Sequence, residues 1–132
     1  MKIFDKTIDV LQRSMDLSAK RHALISSNVA NSETPGYRSR ELDFGGELTR
    51  MIQSQSEIVK TNPMHMDLAE SDSQAHTVYD QVGAVGADGN NVDMDIEVGK
   101  MSENMRRYDS AANYIGLKLR MLKEAARGPQ GV

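Results

Sequence analysis

The residues best suited to ligating a metal or moving protons in this cysteine-free chain are its three histidines, His22, His65 and His76. His65 and His76 lie near Asp67, Glu70 and Asp72. No ligand spacing links them, however, and a metal site needs its ligands held in a defined geometry. DGNNVDMDIE, Asp88 to Glu97, begins like a calcium loop. It then places Val92 where a ligand belongs, Asp93 where the turn needs glycine and Gly99 where the bidentate glutamate belongs. GAVGADG spaces its glycines three and three, which fits neither a dinucleotide fingerprint nor a phosphate loop. A nucleophile needs a base and a third, orienting group, and no stretch supplies the set. The expectation is a protein with no catalytic residues, no cofactor and no metal.

The elements around these residues point to assembly instead. The chain has 132 residues, 39% of them hydrophobic, with no Trp, two Phe and nine Met. Met is an adaptable filler, so a compact independent core looks weak and burial against other chains is expected. The net charge of −3 lacks the basic face that nucleic acid would require. No run of about 18 apolar residues offers a membrane span, and Asp5 and Asp9 interrupt the place of a cleaved export signal.

Two segments carry heptads. Phe4, Ile8, Leu11, Met15, Ser18, His22, Ile25 and Val29 alternate steps of four and three, as do Met94, Val98, Met101, Met105, Tyr108, Ala112, Ile115, Leu119, Leu122 and Ala126. That alternation is the seam of a coiled coil. It predicts helices over about Asp5–Asn31 and Val92–Arg127, the second with acidic residues at its start and basic ones at its end, as the helix dipole favours. The expected fold is mainly α: two long terminal helices in an antiparallel coiled-coil hairpin, over residues 1–31 and 92–132. A polar, largely irregular middle, 32–91, joins them. A short helix at Gly46–Gln53 and short β segments at Ile58–Lys60 and Thr77–Tyr79 are expected within it. The apolar seam residues are expected to meet within the chain. Ile3, Val10, Leu17 and Leu24 repeat every seven residues off that seam, and Leu117 and Met121 also lie off it. A two-helix hairpin has no layer to cover them, so they form the expected stripe between subunits. Ser18 and His22 are read as polar residues that fix the register.

The first helix stops at NVANSETPGYR. Asn31 suits a left-handed helix end, and Thr34-Pro35-Gly36-Tyr37 is the pattern of a type II turn. Alone, this is an adequate helix stop. SSNVANSETPGYRSRELDF, Ser26 to Phe44, nevertheless resembles the N-terminal signature of bacterial flagellar rod, hook and hook–filament junction proteins, A/S-N-x-A-N-x-x-T-P-G-Y. DGNNVDMDIEV and MRRYDSAANY resemble the start and middle of the C-terminal helix in the basal-body rod protein family. The S-R-A-Y-E-A-N-type stretch of larger rod and hook proteins is absent, which places the resemblance with the small proximal rod proteins.

The resemblance implies a structural subunit exported unfolded through the flagellar type III apparatus without a cleaved signal. Its terminal helices would fold on assembly into the inner tube of the periplasmic rod, which carries torque from the MS ring to the hook. Implied partners are further copies, other rod proteins including FlgC, the adaptor FliE, the export apparatus and the MS ring, with neither nucleic acid nor a membrane span. Asn28, Asn31, Thr34, Pro35, Gly36 and Tyr37 would form the turn that ends the inner-tube helix. FlgC itself, or a soluble helical-hairpin adaptor or export chaperone, is the competing reading.

Overall fold

The computed structural model describes residues 2–54, 76–80 and 82–127, without the side chains of the first turn, Met51 and Ser54. Two helices dominate: α1, Lys2–Ala30, and α3, Met94–Arg127. At 1.5 Å per residue they run for about 43 and 50 Å. Neither is long and apolar enough to cross a membrane. Between them lie β1 (Arg40–Leu42), α2 (Phe44–Ser54) and β2 (Thr77–Tyr79). Asp43 begins α2 by accepting a bond from Gly46 N at 3.0 Å, and Asp93 begins α3 by accepting from the amides of Asp95 and Ile96 at 2.9 and 3.2 Å. Short acidic side chains at these positions satisfy amides that the helix leaves open.

The long helices are antiparallel. Asn28 bonds Glu97, and ten residues earlier Ser18 meets Asn104. β1 and β2 pair antiparallel, with Glu41 opposite Val78. The mainly helical hairpin, the short α2 and the Thr77–Tyr79 strand agree with the sequence expectation. β1 was not expected, and the Ile58–Lys60 segment and His65 lie outside the described residues.

The face along which the helices meet departs from the heptad count. The buried residues of α3 are Glu97, Asn104 and Ala111. Each lies one residue before an expected seam position: Val98, Met105 or Ala112. Val98, Met105 and Leu119 are instead 53, 64 and 54% exposed, and Met94 and Tyr108 are exposed as well. Met101, Ala112, Ile115 and Leu122 are half-buried. The same offset occurs on α1. Arg21 and Asn28 turn inward where His22 and Val29 were expected; His22 is exposed and Val29 half-buried. Ile8, Leu11 and Met15 are half-buried, and Ile25 is buried as expected.

The physical cause is the set of polar partners along the helix pair. A layer of α2 and β1 packs against α1, bringing Glu41 to Arg21 and the Arg40 backbone to Asn28, while Glu97 and Asn104 of α3 meet Asn28 and the Ser18 carbonyl of α1. Polar residues there find partners and outcompete apolar ones one position away. The same layer corrects the expected subunit stripe. Leu17 is 0% exposed within the chain, and Val10 and Leu24 are half-buried. The side chain of Ile3 is outside the described set, and Leu117 and Met121 do remain exposed. Among the described residues the buried apolar side chains are Leu17, Ile25, Leu42 and Ala111.

Candidate functional site

Two regions stand out: a polar junction where α1 ends, and an open apolar ridge on α3. The junction is built around Asn28, 1% exposed. Its Nδ2 donates to Arg40 O at 2.9 Å and to Glu97 Oε2 at 3.0 Å. Its Oδ1 accepts from Arg40 N at 3.0 Å and from the Tyr37 hydroxyl at 3.3 Å. An asparagine side chain has two donor hydrogens and two acceptor lone pairs, and all four are used. The paired bonds to Arg40 N and O place the side-chain amide beside β1 as a neighbouring strand would place its backbone.

The turn after α1 follows from its sequence. Gly36 has φ of 71°, the left-handed value a type II turn needs at its third residue, and Tyr37 N reaches back to Thr34 O at 3.2 Å. Asn31 is not left-handed, contrary to expectation; it keeps φ negative and bonds Ser27 O through its side chain at 2.8 Å. Thr34 and Pro35 are exposed and Tyr37 half-buried.

The segment before α3 holds this turn from the other side. Asn90 Nδ2 lies 2.9 to 3.0 Å from the carbonyls of Asn31, Ser32 and Thr34. Asn91 Oδ1 accepts from Ser39 N and Oγ at 2.7 and 3.2 Å, and its Nδ2 donates to Asp80 O at 2.9 Å. Gly36 N donates to Asp88 O at 2.9 Å. The two motifs that carry the family resemblance, far apart in sequence, are thus one hydrogen-bonded unit. Gly83 completes the close approach, since a Cβ there would fall 1.9 Å from Asn91 O.

Charges tie the unit to α3. Lys100 Nζ contacts Asp80, lies 2.8 Å from Glu97 Oε1 and 3.4 Å from Glu41 Oε2. Burial alone would make this ammonium more acidic, but bonds to Asp80 and Glu97 outweigh it and hold the proton more tightly than in water. Glu41 is held below the usual carboxylate range. Burial opposes this, and the Arg21 guanidinium, donating from Nε at 2.8 Å, overcomes it. Arg21 also reaches toward Glu103 at 3.8 Å.

Sequence reasoning missed Asn90, Asn91, Glu97, Lys100, Ser39 and Asn104, because it searched for apolar periodicity. The available signal was the Asn-Asn pair after an Asp-Gly turn, immediately before a helix start. Of the signature residues it did select, Asn28, Asn31, Thr34, Gly36 and Tyr37 come together, with Pro35 setting the turn.

The ridge is the second region. Val98, Met105 and Leu119, with Met94 at its head, stay exposed along most of α3. On the opposite side of α3, a cavity of about 510 Å³ opens between α1, α2 and α3, floored by Leu11, Phe44, Leu48 and Ala111. Arg107 stacks 5.2 Å over the Phe44 ring at its edge.

No protein-family model matches the chain. Curated relatives do. It is 30% identical over 129 residues to the flagellar basal body rod protein FlgB of Aeromonas hydrophila, covering 96% of this chain and 97% of that protein. It is 29% identical over 121 residues to FlgB of Borreliella burgdorferi, covering 86 and 90%, and 28% identical over 128 residues to FlgB of Bacillus subtilis, covering 97 and 98%. With that identity to the Aeromonas protein spanning nearly the whole of both chains, the chain belongs to the family of the flagellar basal body rod protein FlgB.

Proposed function

We propose that this chain is a structural, non-catalytic subunit of the proximal rod of the bacterial flagellar basal body. It assembles through its long helices into the shaft that carries torque from the MS ring to the hook. The observation that carries the reading is the open ridge. Val98, Met105 and Leu119 are more than half exposed in line along a helix that already buries Glu97, Asn104 and Ala111 within the chain, and a lined-up apolar stripe of this kind marks an association surface. Leu117 and Met121, each two residues from Leu119 and so on the opposite flank of the helix end, stay exposed as a second apolar patch. Family membership supplies the setting, and the named neighbours follow from it: further copies, FlgC and other rod proteins, FliE and the MS ring. Entry into the periplasm through the flagellar type III apparatus belongs to the same proposal, as does the division into inner-tube helices (1–31 and 92–132) and an outward middle (32–91).

Mechanically, the ridge joins subunits while the junction fixes the angle at which the middle leaves the helices. Torque then passes through many small contacts. The test is Val98→Asp with Met105→Asp in a strain lacking its own copy. The chain is expected to be exported yet lost from isolated basal bodies, and the cells to stop swimming. Normal assembly of that variant, or a wild-type chain found only as a folded cytosolic dimer, would refute the reading.

A further inference from the structure

The ridge and the cavity lie on different sides of one helix. Met105 is on the ridge, and Arg107 at the cavity edge is two residues on, about 200° around α3. Each copy therefore carries a projecting surface and a recess that do not compete for space.

Charge distinguishes which part of the ridge fits the recess. Arg106 and Arg107 rim the cavity above its apolar floor. Glu103 also borders it and pairs with Arg107, at 2.7 and 3.1 Å, so the two cancel and Arg106 leaves the rim with a net positive charge. The C-terminal end of the ridge, Leu119, is flanked by Arg120 and Lys123, which the rim would repel. The N-terminal end is the opposite. Met94 and Val98, 46 and 53% exposed, sit one turn apart on the first turns of α3 with the exposed carboxylate of Asp95 beside them.

We propose, building on the rod-subunit reading, that the start of α3 in one copy seats in the α1–α2–α3 cavity of a second copy of this chain. Met94 and Val98 meet Leu11, Phe44, Leu48 and Ala111, and Asp95 faces Arg106. The apolar pair supplies the affinity, while the exposed ion pair mainly sets register and excludes the basic end of the ridge. From the centre of the projecting turn to the centre of the recess is about 13 residues of helix, so parallel neighbours step about 20 Å along each other. The contact joins two different surfaces. Such a heterologous contact builds an open helical array.

The chain has no cysteine, so a pair can be introduced cleanly. Asp95→Cys with Arg106→Cys, expressed as the sole copy, is isolated in basal bodies and mildly oxidised. The expected result is a ladder of disulfide-linked dimers and larger species, absent from either single variant. Basal bodies that contain the chain but give no ladder overturn the proposal and leave the rod reading standing. A ladder from one single variant, or linkage only to a different protein, overturns it too. In parallel, Arg106→Glu and Asp95→Arg are each expected to lower the amount of chain recovered in basal bodies at least twofold, and the two combined in one chain to restore it. Loss without restoration overturns the proposal. Absence of the wild-type chain from basal bodies would overturn the rod reading itself.

Discussion

Asn28→Ala removes the side chain at the centre of the junction, and the size of its effect follows from the four bonds lost. Arg40 is exposed, so water replaces the partners of its amide and carbonyl, and each of those bonds is worth about 0.5 to 1.5 kcal/mol. The Tyr37 bond is long, at 3.3 Å, on a half-buried ring, and adds little. Glu97 is different. It is 2% exposed and loses one of its two side-chain donors, keeping only Lys100. A hydrogen bond to a charged group is worth about 1.5 to 3 kcal/mol, and no water reaches a carboxylate this enclosed without opening the site. The sum is about 2.5 to 6 kcal/mol, or roughly two to four orders of magnitude in the population of the formed junction.

Asn31→Ala is the matched control. It removes an asparagine from the same signature, but one whose side chain makes only exposed bonds, donating to the Ser27 carbonyl at 2.8 Å and accepting from Thr34 Oγ1 at 3.2 Å, for a cost of about 1 to 2 kcal/mol. The assay is the amount of each variant in isolated basal bodies, normalised to the amount exported. Asn28→Ala should be nearly absent and Asn31→Ala close to wild type. Equal recovery of the two would refute the assignment of Asn28 as the centre of the junction.

Other outcomes follow from the same geometry. Glu41 is held below the usual carboxylate range mainly against burial and by Arg21, so its contribution is present above the unfolded value, about 4.3, and is lost as pH falls through the lower folded one. Arg21→Gln removes the opposing charge, and acid dissociation of basal-body rods should then move to higher pH; an unchanged acid midpoint would refute this. At Gly36 an added Cβ meets nothing within 4 Å, but φ is 71°, so Gly36→Ala should cost about 1 to 2 kcal/mol through backbone strain alone. Gly36→Asn should cost less, as judged by rod recovery, and the reverse order would show that space matters after all. Ser18 Oγ is buried with no hydrogen-bond partner, so Ser18→Ala should leave assembly intact and raise the dissociation temperature of the rod; a lower temperature would show that the hydroxyl is satisfied in the assembled state.

The long helices were legible in the sequence because heptad spacing, capping residues and end charges all agree over many residues. The turn at Thr34–Tyr37 was legible because Pro35 and Gly36 restrict the backbone whatever surrounds them. The side of each helix that turns inward was not. Hydropathy assigns Val98 over Glu97 and Met105 over Asn104, and only the presence of Lys100, Asn28 and the Ser18 carbonyl reverses the choice. Asn28 and Ser18 come from the other long helix, at separations that local pattern does not reach, and Lys100, three residues from Glu97 on α3, is drawn in by Asp80 and Glu41. β1 was equally hidden, since its outer edge is satisfied by the side chains of Asn28 and Glu41 rather than by a strand.

The one-residue offset on α3 sorts its positions genetically. Glu97 and Asn104 face only inward, and lesions there should act on the individual molecule, to be relieved by second-site changes in α1 or the junction. Val98, Met105 and Leu119 face only outward, so lesions there should be suppressed by changes in whichever molecule lies alongside. Met101, Tyr108, Ile115 and Leu122 sit at the boundary of both faces. Substitutions at these four should resist suppression from either source, leaving them the least free to vary along the whole helix.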